Sequence, residues 1–502
     1  MNVKQLIILV SCCLFATSLA AAQRKNVLLI CVDDLNDWVG CMGGHAQAKT
    51  PFMDDLAAQG TLFKNAHCQA PICGPSRASF LSGRYPHETG LYDQPRGKGK
   101  MIDDAEHFRG HLLPEYFSQH GYETLAAGKI THGYPLNKAV NKAGSSGNSG
   151  PKPKGPKPPN DVRFNYRPDY SQPYTGTQTD WAAFPDRDAQ MPDFQTADWA
   201  IRQLEKDQSV PFFLAVGFHR PHVPFYVPQK WFDLHPLGEI IVPAIRDHDL
   251  QDVPETGVRV HELPRYPQLP WLRANDNEQL RKCTQAYLAC TSFVDAQVGR
   301  VIQALNDSPN AENTIIVLFS DHGYHLGEKN RVSKHSLWEE STRVPLIIVE
   351  PGKRKPQTCT RPVGLIDLYP SLLELCGLPA REANSGRSLV PLLNKPNDPS
   401  VAWRESILTT YARGNHSLRS ERFRYIRYYD GSEELYDHSN DPNEWSNLAQ
   451  PDNRSHESVV TEFRSQLPTT DAEYHPAVGF GAVNPWFAEF YDQLEKDRLT
   501  TP

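Results

Sequence analysis

Beyond its first 22 residues the sequence has no apolar run long enough to span a bilayer, so no membrane-crossing helix is expected in the body of the chain. It has no large excess of charge of one sign: 52 Lys and Arg stand against 59 Asp and Glu, for a formal charge of −7 and a pI near 6.3. That balance excludes a general electrostatic footprint for nucleic acid or anionic membrane, and any polyanion must be met by a local basic pocket. The ten cysteines form no CxxC pair and no Cys/His metal spacing. Nothing repeats at a solenoid period. What remains is a chain of 502 residues, long enough for a large core. At about 150 residues per domain the length suggests three domains, a prior that large α/β enzymes often ignore.

The opening stretch, MNVKQLIILVSCCLFATSLAAAQ, has one lysine, an apolar run and a small-residue end at Ala20-x-Ala22. This is the pattern of a secretory signal over residues 1–22, and it predicts export to a periplasmic or extracellular space, or to a lysosomal-type compartment in a eukaryote. Cleavage after Ala22 removes only Lys4, leaving a mature charge of −8. Leu9-Val-Ser-Cys12 faintly resembles a lipoprotein box, but the apolar stretch before Cys12 is short. Of the eight remaining cysteines, Cys31 lies in an apolar run and Cys283 and Cys290 share a helical face, so most read as small core hydrophobes. A disulfide or two is permitted by export and none can be assigned. Asn306, Asn415 and Asn453 begin sequons that matter only in a host that uses them.

The chain does contain apolar strands that end in ionisable residues. Asn26 to Val32 is an unbroken apolar run suited to a central strand buried on both faces, and Asp33 and Asp34 follow it directly. Thr314 to Phe319 repeats the design and leads through Ser320 into Asp321 and His322. Tyr122 to Ala127 leads to Lys129 and His132, and Pro211 to Gly217 leads to His219-Arg-Pro-His222. One such histidine would read as a loop residue. Four strands delivering ionisable groups at the same end point to the edge of an α/β sheet where open folds place their sites.

Between the first strand and these others lies Cys73 to Arg84, CGPSRASFLSGR. Pro75 has the φ suited to a first helical position and Gly83 can close a short helix in a left-handed conformation, which sets the side chain of Cys73 just ahead of the helix. That side chain then faces free N–H groups and a positive dipole end, and Arg77 adds forked donors for an anion. A thiol there is lowered in pKa and can act as a nucleophile, or the site can bind an oxyanion. The arginine comes four residues after the cysteine and none falls at position 79, so this is not the Cys-x5-Arg loop of cysteine phosphatases.

Residues 137–193, rich in Pro, Gly, Ser, Tyr and Asp, read as a long mobile insertion whose middle, Ala143 to Asn160, cannot bury a core. Arg281 to Asn306 is the clearest helix, with Cys283, Tyr287, Cys290, Val294, Val298, Val301 and Leu305 stepping by threes and fours. From about residue 401 the texture changes to short β-type runs at Ser406–Tyr411, Arg424–Tyr429 and Glu434–Tyr436 with turns between them, predicting a small antiparallel sheet beside the main domain. The expected organisation is a catalytic domain over 23–400 and a small α+β subdomain over 401–502, within an α/β class built on a large, mostly parallel sheet flanked by helices.

Asp33, Asp34 and Asp321 offer hard oxygen ligands that repel one another unless a divalent cation sits among them, calcium before magnesium. His322 is a softer ligand, unusual for either. Arg77, Lys129 and Lys334 can bracket a tetrahedral oxyanion, and His132 and His219 can move protons.

Cys73-x-Pro-Ser-Arg77 followed by Leu81-Ser-Gly-Arg84 matches the sulfatase signature at every fixed position. With NVLLICVDDL, AAGKITH, GFHRPHVPF, FSDHGYHLGE, the Lys334 region and ELYDHSNDPNEWSNLA, the chain resembles the type I sulfatases of the alkaline phosphatase superfamily along essentially all of its mature length. It is most similar to the iduronate-2-sulfatase branch, through FFLAVGFHRPHVPF, the GLYD after the cysteine motif and the histidine at 322.

The resemblance implies that a formylglycine-generating enzyme converts Cys73 to formylglycine, whose hydrate is the nucleophile. It implies that Asp33, Asp34, Asp321 and His322 hold one calcium ion together with the modified side chain at 73. Arg77 and Lys129 would polarise the hydrate, Lys334 and His219 would bind sulfate and protonate the leaving alcohol, and His132 would take a proton from the hydrate. Lys129 and His132 are spaced Lys-x-x-His where many arylsulfatases have Lys-x-His. The implied activity is removal of sulfate from a sulfated carbohydrate, plausibly a 2-O-sulfated uronic acid. The other readings are a phosphatase or phosphodiesterase of the same superfamily, which would normally carry Ser or Thr as nucleophile, and an inactive protein that binds sulfated glycans.

Overall fold

A computed structural model describes residues 24–95, 100–132, 138–144, 179–206, 208–261, 269–353, 355–450, 452 and 454–478, with single positions at 493, 496, 499 and 500. The signal segment 1–22, most of the 137–193 insertion and the sequon at Asn453 lie outside the described residues. An eight-stranded sheet organises the rest, in the order Gln357–Cys359, Thr61–Phe63, Leu346–Val349, Thr314–Ser320, Asn26–Asp33, Phe212–Pro221, Glu123–Gly128 and Lys142–Ala143. The five strands from Thr314–Ser320 to Lys142–Ala143 run parallel, and Leu346–Val349 is antiparallel to its neighbours.

The two faces of the Asn26–Asp33 strand explain its unbroken apolar run. Val27, Leu29 and Cys31 pack with the helices Cys73–Ser82, Leu113–Gln119 and Leu368–Leu375, while Leu28, Ile30 and Val32 pack with Pro51–Ala57, Pro192–Leu204 and the long helix ending at Asn306. Each such aliphatic side chain stabilises the fold by about 1.5–3 kcal/mol on burial. A strand covered on both sides has no polar face to show, which is why alternation is absent.

Parallel register then decides where the polar residues after each strand go. Gly128 pairs with Gly217, Gly217 with Cys31, and Cys31 with Phe319, so four chain segments leave the sheet at one carboxyl edge. The backbones come unusually close there. A Cβ on Gly128, at φ +76°, would stand 1.9 Å from the carbonyl oxygen of Gly217, and one on Gly217 would stand 2.2 Å from that of Lys129. Only glycine fits either position.

Three expectations change. The helix begins at Cys73 itself, with Ile72 extended before it and Pro75 third, in the first turn where its missing N–H costs nothing; Gly83 closes the helix at φ +73°. The insertion ends sooner than its composition suggests: Trp181–Ala183 is a strand paired with Phe225–Val227, and Asp193 is buried in the first turn of the helix Pro192–Leu204. A three-residue strand among Pro and Asp leaves no periodic trace. The long helix starts at Leu269, interrupted at 274–277 where Asn275, Asp276 and Asn277 take left-handed φ, and every residue of the predicted stripe is buried.

The C-terminal antiparallel sheet runs Ile407–Thr410, His416–Arg419, Phe423–Arg427 and Glu433–Asp437; the second of these, His416–Arg419, adds to the three predicted runs. The eight described cysteines are free thiols. No helix among the described residues is long and apolar enough to cross a membrane.

Candidate active site

At the carboxyl edge of the sheet, Sγ of Cys73 is surrounded by the groups that follow the four strands. Nζ of Lys334 lies 3.1 Å from it, Nε2 of His322 3.2 Å and Nζ of Lys129 3.6 Å, and His132 hydrogen-bonds it as well. Burial alone would raise the thiol's pKa, but Lys129, Lys334, His322 and the His132 hydrogen bond outweigh it and hold the thiol well below its ordinary value. The position is that of an anion.

A ring of carboxylates neutralises these cations. Lys129 bonds Oδ2 of Asp33, and Lys334 bonds Oδ1 of Asp34 at 2.6 Å. Arg77 is fully buried; it donates through Nε to Asp321 at 2.8 Å, through a terminal nitrogen to Asp33 at 3.2 Å, and to the carbonyl of Lys129. For Asp33, burial and the neighbouring Cys73 push the pKa up, yet Lys129, His222 and Arg77 prevail and hold it well below the carboxylate range. Burial pushes Asp321 up to about 7, against the pull of Arg77.

Asp34 adopts φ +61°, a left-handed conformation that costs a non-glycine residue about 1–3 kcal/mol and persists only where its surroundings hold it. Its N–H donates to Asp321 Oδ1 at 3.2 Å, the next N–H, of Leu35, donates to Ser320 Oγ at 3.0 Å, and its carbonyl accepts the hydroxyl of Tyr287 at 2.7 Å. The turn thereby aims both carboxylates of the Asp33-Asp34 pair at Cys73.

The donor set fits a cation. Ligand atoms of Asp33, Asp34, Cys73 and His322 all lie within 4.8 Å of one another, and Oδ2 of Asp34 is buried with no hydrogen-bond partner. His322 places Nδ1 2.9 Å from the carbonyl of Gly323, which can only accept, so Nδ1 carries a proton and Nε2 faces the cluster; burial lowers the ring's pKa but Asp321 and Cys73 raise it to about 9, so a cation bound there would take the place of a proton on Nε2. Asp321 stands at its edge: Oδ1 accepts the N–H groups of Asp34 and His322, and Oδ2 accepts from Arg77 while lying 3.6 Å from His322 Nε2.

His219 also reaches the site, with Nδ1 3.8 Å from Asp33 Oδ2 and no hydrogen-bond partner. Burial, then His222, Lys129 and Arg220, hold its imidazole well below the ordinary pKa, so it is neutral. All ten residues singled out from the sequence therefore meet in one place. Residues that sequence reasoning missed support them. Asp193 accepts the backbone N–H groups of His219 at 2.7 Å and Arg220 at 2.8 Å. His222 faces Asp34 with Nε2 4.0 Å from Oδ2, and Ser76 Oγ donates to the carbonyl of Asp321 at 2.5 Å. The repeated histidine in His219-Arg-Pro-His222 was a usable signal for His222; nothing local marked Asp193.

A sulfatase family profile matches residues 25–378, a span that contains every residue of this site. The chain belongs to the sulfatase family. A second profile, N-sulphoglucosamine sulphohydrolase, C-terminal, matches residues 327–473 of the sulfatase. It is 41% identical to a sulfatase of Formosa agariphila over 473 residues, 93% of this chain and 90% of that one. It is 33% identical to mouse iduronate 2-sulfatase over 429 residues, 72% of this chain and 70% of the relative. A solved 2-O GAG sulfatase superposes with a TM-score of 0.67 at 24% identity, covering 88% of this chain and 91% of its own, a likeness of fold.

Proposed function

We propose that this sulfatase is an exported enzyme that removes sulfate from a sulfated carbohydrate carrying a 2-O-sulfated uronic acid, with Cys73 matured to formylglycine and one calcium ion at the site. The observation that carries the reading is the meeting of Lys129, Lys334, His132 and His322 on the single side chain of Cys73. Identity to mouse iduronate 2-sulfatase supports the choice of sugar. The signal pattern at 1–22 supports export, and the change of texture near 401 supports a catalytic domain over 23–400 with a small C-terminal subdomain after it.

Asp33, Asp34, Asp321, His322 and the side chain at 73 would hold the cation, and the hydrated aldehyde at 73 with the cation beside it supplies an activated oxygen nucleophile and a counter-charge. The protein's own groups do the rest. Lys129 and Lys334 bind sulfate oxygens from two sides, and Arg77 holds Asp33 and Asp321 so that their charges stay fixed while negative charge develops. His219, neutral beside Asp33 in the free protein, takes up a proton as the sulfate anion binds and, with Lys334, delivers it to the departing sugar oxygen. His132 takes the proton from the side chain at 73. Burial of the cluster excludes bulk water and strengthens each of these interactions.

The test is sulfate release, followed by ion chromatography, from disaccharides sulfated at the uronic acid 2-O position beside others sulfated at 6-O or on nitrogen. Release from the 2-O-sulfated sugars alone is the expected result. Release from the other isomers would overturn the sugar assignment, and release of phosphate but not sulfate from model esters would overturn the reaction.

A further inference from the structure

Lys334 lies on a segment, residues 331–338, with no helix or strand of its own, between the short turn Glu328–Asn330 and the helix Glu339–Thr342. Its conformation is not one the chain adopts by preference, because His335 takes φ +70°. On the amino-terminal side the segment is held within the large domain: Arg331 donates to the carbonyl of Lys334 at 3.0 Å, and the N–H of His335 donates to Pro71 at 3.1 Å. On the carboxyl-terminal side the anchors come from the antiparallel sheet and the turn that follows its last strand. A terminal nitrogen of Arg424 donates to the carbonyl of Leu337 at 2.9 Å, the indole N–H of Trp338 donates to Glu434 at 2.9 Å, and the N–H of Glu339 donates to Glu444 at 2.9 Å.

Arg424 is the centre of that attachment. It is fully buried and its guanidinium also bonds Glu339, reaches Thr342 Oγ1 at 2.9 Å and pairs with Glu444 at 2.5 Å. Only a planar fork of five donors can bond a backbone carbonyl and two carboxylates in fixed directions at once. A lysine would keep the charge and lose the directions.

We propose that Arg424 is a positioning residue for Lys334: through Leu337 and Glu339 it fixes the segment that sets the ammonium against the side chain at 73, so the C-terminal sheet is part of the catalytic apparatus. The inference rests on the reading that Lys334 acts on sulfate. A displacement of about 1 Å at a reacting group can cost about a hundredfold in rate. Arg424→Lys is therefore expected to lower kcat by about 10- to 100-fold.

The deciding experiment is a double-mutant cycle of Arg424→Lys with Lys334→Ala, combined with hydrogen exchange of peptides covering residues 331–338 in the full chain without substrate. The expected result is faster exchange in that segment, the loss of kcat in the otherwise unaltered enzyme, and less than about a twofold further loss once Lys334 is alanine. Unchanged exchange, or losses that add in full, would overturn the proposal. If Arg424→Lys does not accumulate as folded protein, Trp338→Phe, which removes the indole donor to Glu434 and part of a buried ring, loosens the same attachment and is read in the same two ways. A wild-type enzyme that releases no sulfate, with exchange nonetheless accelerated in the variant, would refute the assigned reaction and leave the attachment of the segment standing.

Discussion

Nε2 of His322 stands 3.2 Å from Sγ of Cys73, and the ring is turned there by its other nitrogen, which donates to the carbonyl of Gly323. A histidine whose Nδ1 proton is committed to a backbone carbonyl offers a lone pair at Nε2, the orientation metal-binding histidines adopt. The neighbours of Nε2 are Asp34 Oδ1 at 3.3 Å and Asp321 Oδ2 at 3.6 Å, both acceptors. Acceptors on every side call for a positive charge at Nε2: in the free protein a proton fills that place, since burial, which lowers the imidazole's pKa, is outweighed by Asp321 and Cys73, which raise it to about 9, and a bound metal ion would displace that proton.

Dialysis against EGTA should accordingly abolish activity and lower the melting temperature, and added Ca2+ should restore both more effectively than Mg2+. His322→Ala, which removes one of the proposed ligands, should weaken the Ca2+ dependence of the melting temperature by about 10- to 100-fold in concentration. A melting temperature indifferent to Ca2+ in the unaltered protein would end the metal assignment.

Cys73→Ser should trap a sulfated enzyme or lose nearly all turnover, because an ester formed on a single serine hydroxyl has no second hydroxyl whose deprotonation expels the sulfate; multiple turnovers near the wild-type rate would defeat the assignment. The direct reading is the mass of the tryptic peptide Asn65–Arg77 from protein made in its own host. Conversion of SH and H to a carbonyl oxygen lowers it by about 18 Da. Residue 73 found wholly as thiol would move the protein toward a sulfated-glycan binding role.

What the sequence made legible follows from the kind of signal each part left. The strands before Asp33, Gly217 and Asp321 are nearly continuous apolar runs because both sheet faces are covered, the one before Gly128 becomes apolar after Glu123 and Thr124, and ionisable residues follow each within a few positions. Their convergence depends on register, and no residue announces that Gly217 will lie beside both Gly128 and Cys31. The roles of Asp193 and Arg424 were hidden for a related reason. Asp193 closes a segment whose composition reads as loop, and Arg424 sits on a short strand where an arginine ordinarily faces water, yet each is buried against backbone far away in sequence. The orientation of the His322 ring is a property of geometry alone.

The support that Asp193 gives to His219 can be tested apart from the chemistry. Its buried carboxylate accepts two consecutive N–H groups, and burial raises its pKa while Arg220 and those bonds oppose the rise. Asp193→Ala orphans both donors, at about 1–3 kcal/mol each. The expected outcome is a folded enzyme of lower melting temperature with kcat reduced by about 10- to 100-fold, since His219 loses its backbone anchor. Wild-type kcat in a folded Asp193→Ala protein would remove Asp193 from any role in placing His219.

Far from the site, His235 should make the fold sensitive to acid. Its ring is 2% exposed and bonds Ser292 Oγ, whose hydrogen bond to the carbonyl of Lys49 leaves the oxygen accepting from the imidazole. Burial, then Lys49 and His45, lower its pKa from 6.5 to about 4. A histidine depressed in the folded state stabilises the fold fully above the unfolded pKa, and that stability is lost as pH falls from about 6.5 toward about 4, reaching about 3 kcal/mol for this group. His67, His261 and His325 are depressed by burial in the same sense, so the whole protein should weaken more steeply than one residue accounts for. His235→Gln isolates the single contribution, because an amide can donate to Ser292 and does not titrate. The variant should be the less stable protein at pH 7.5, where glutamine fits the site worse. By pH 4.5 the difference in denaturation free energy should have moved in its favour by about 2–3 kcal/mol. The same difference at both pH values would show that His235 is not held neutral by the fold.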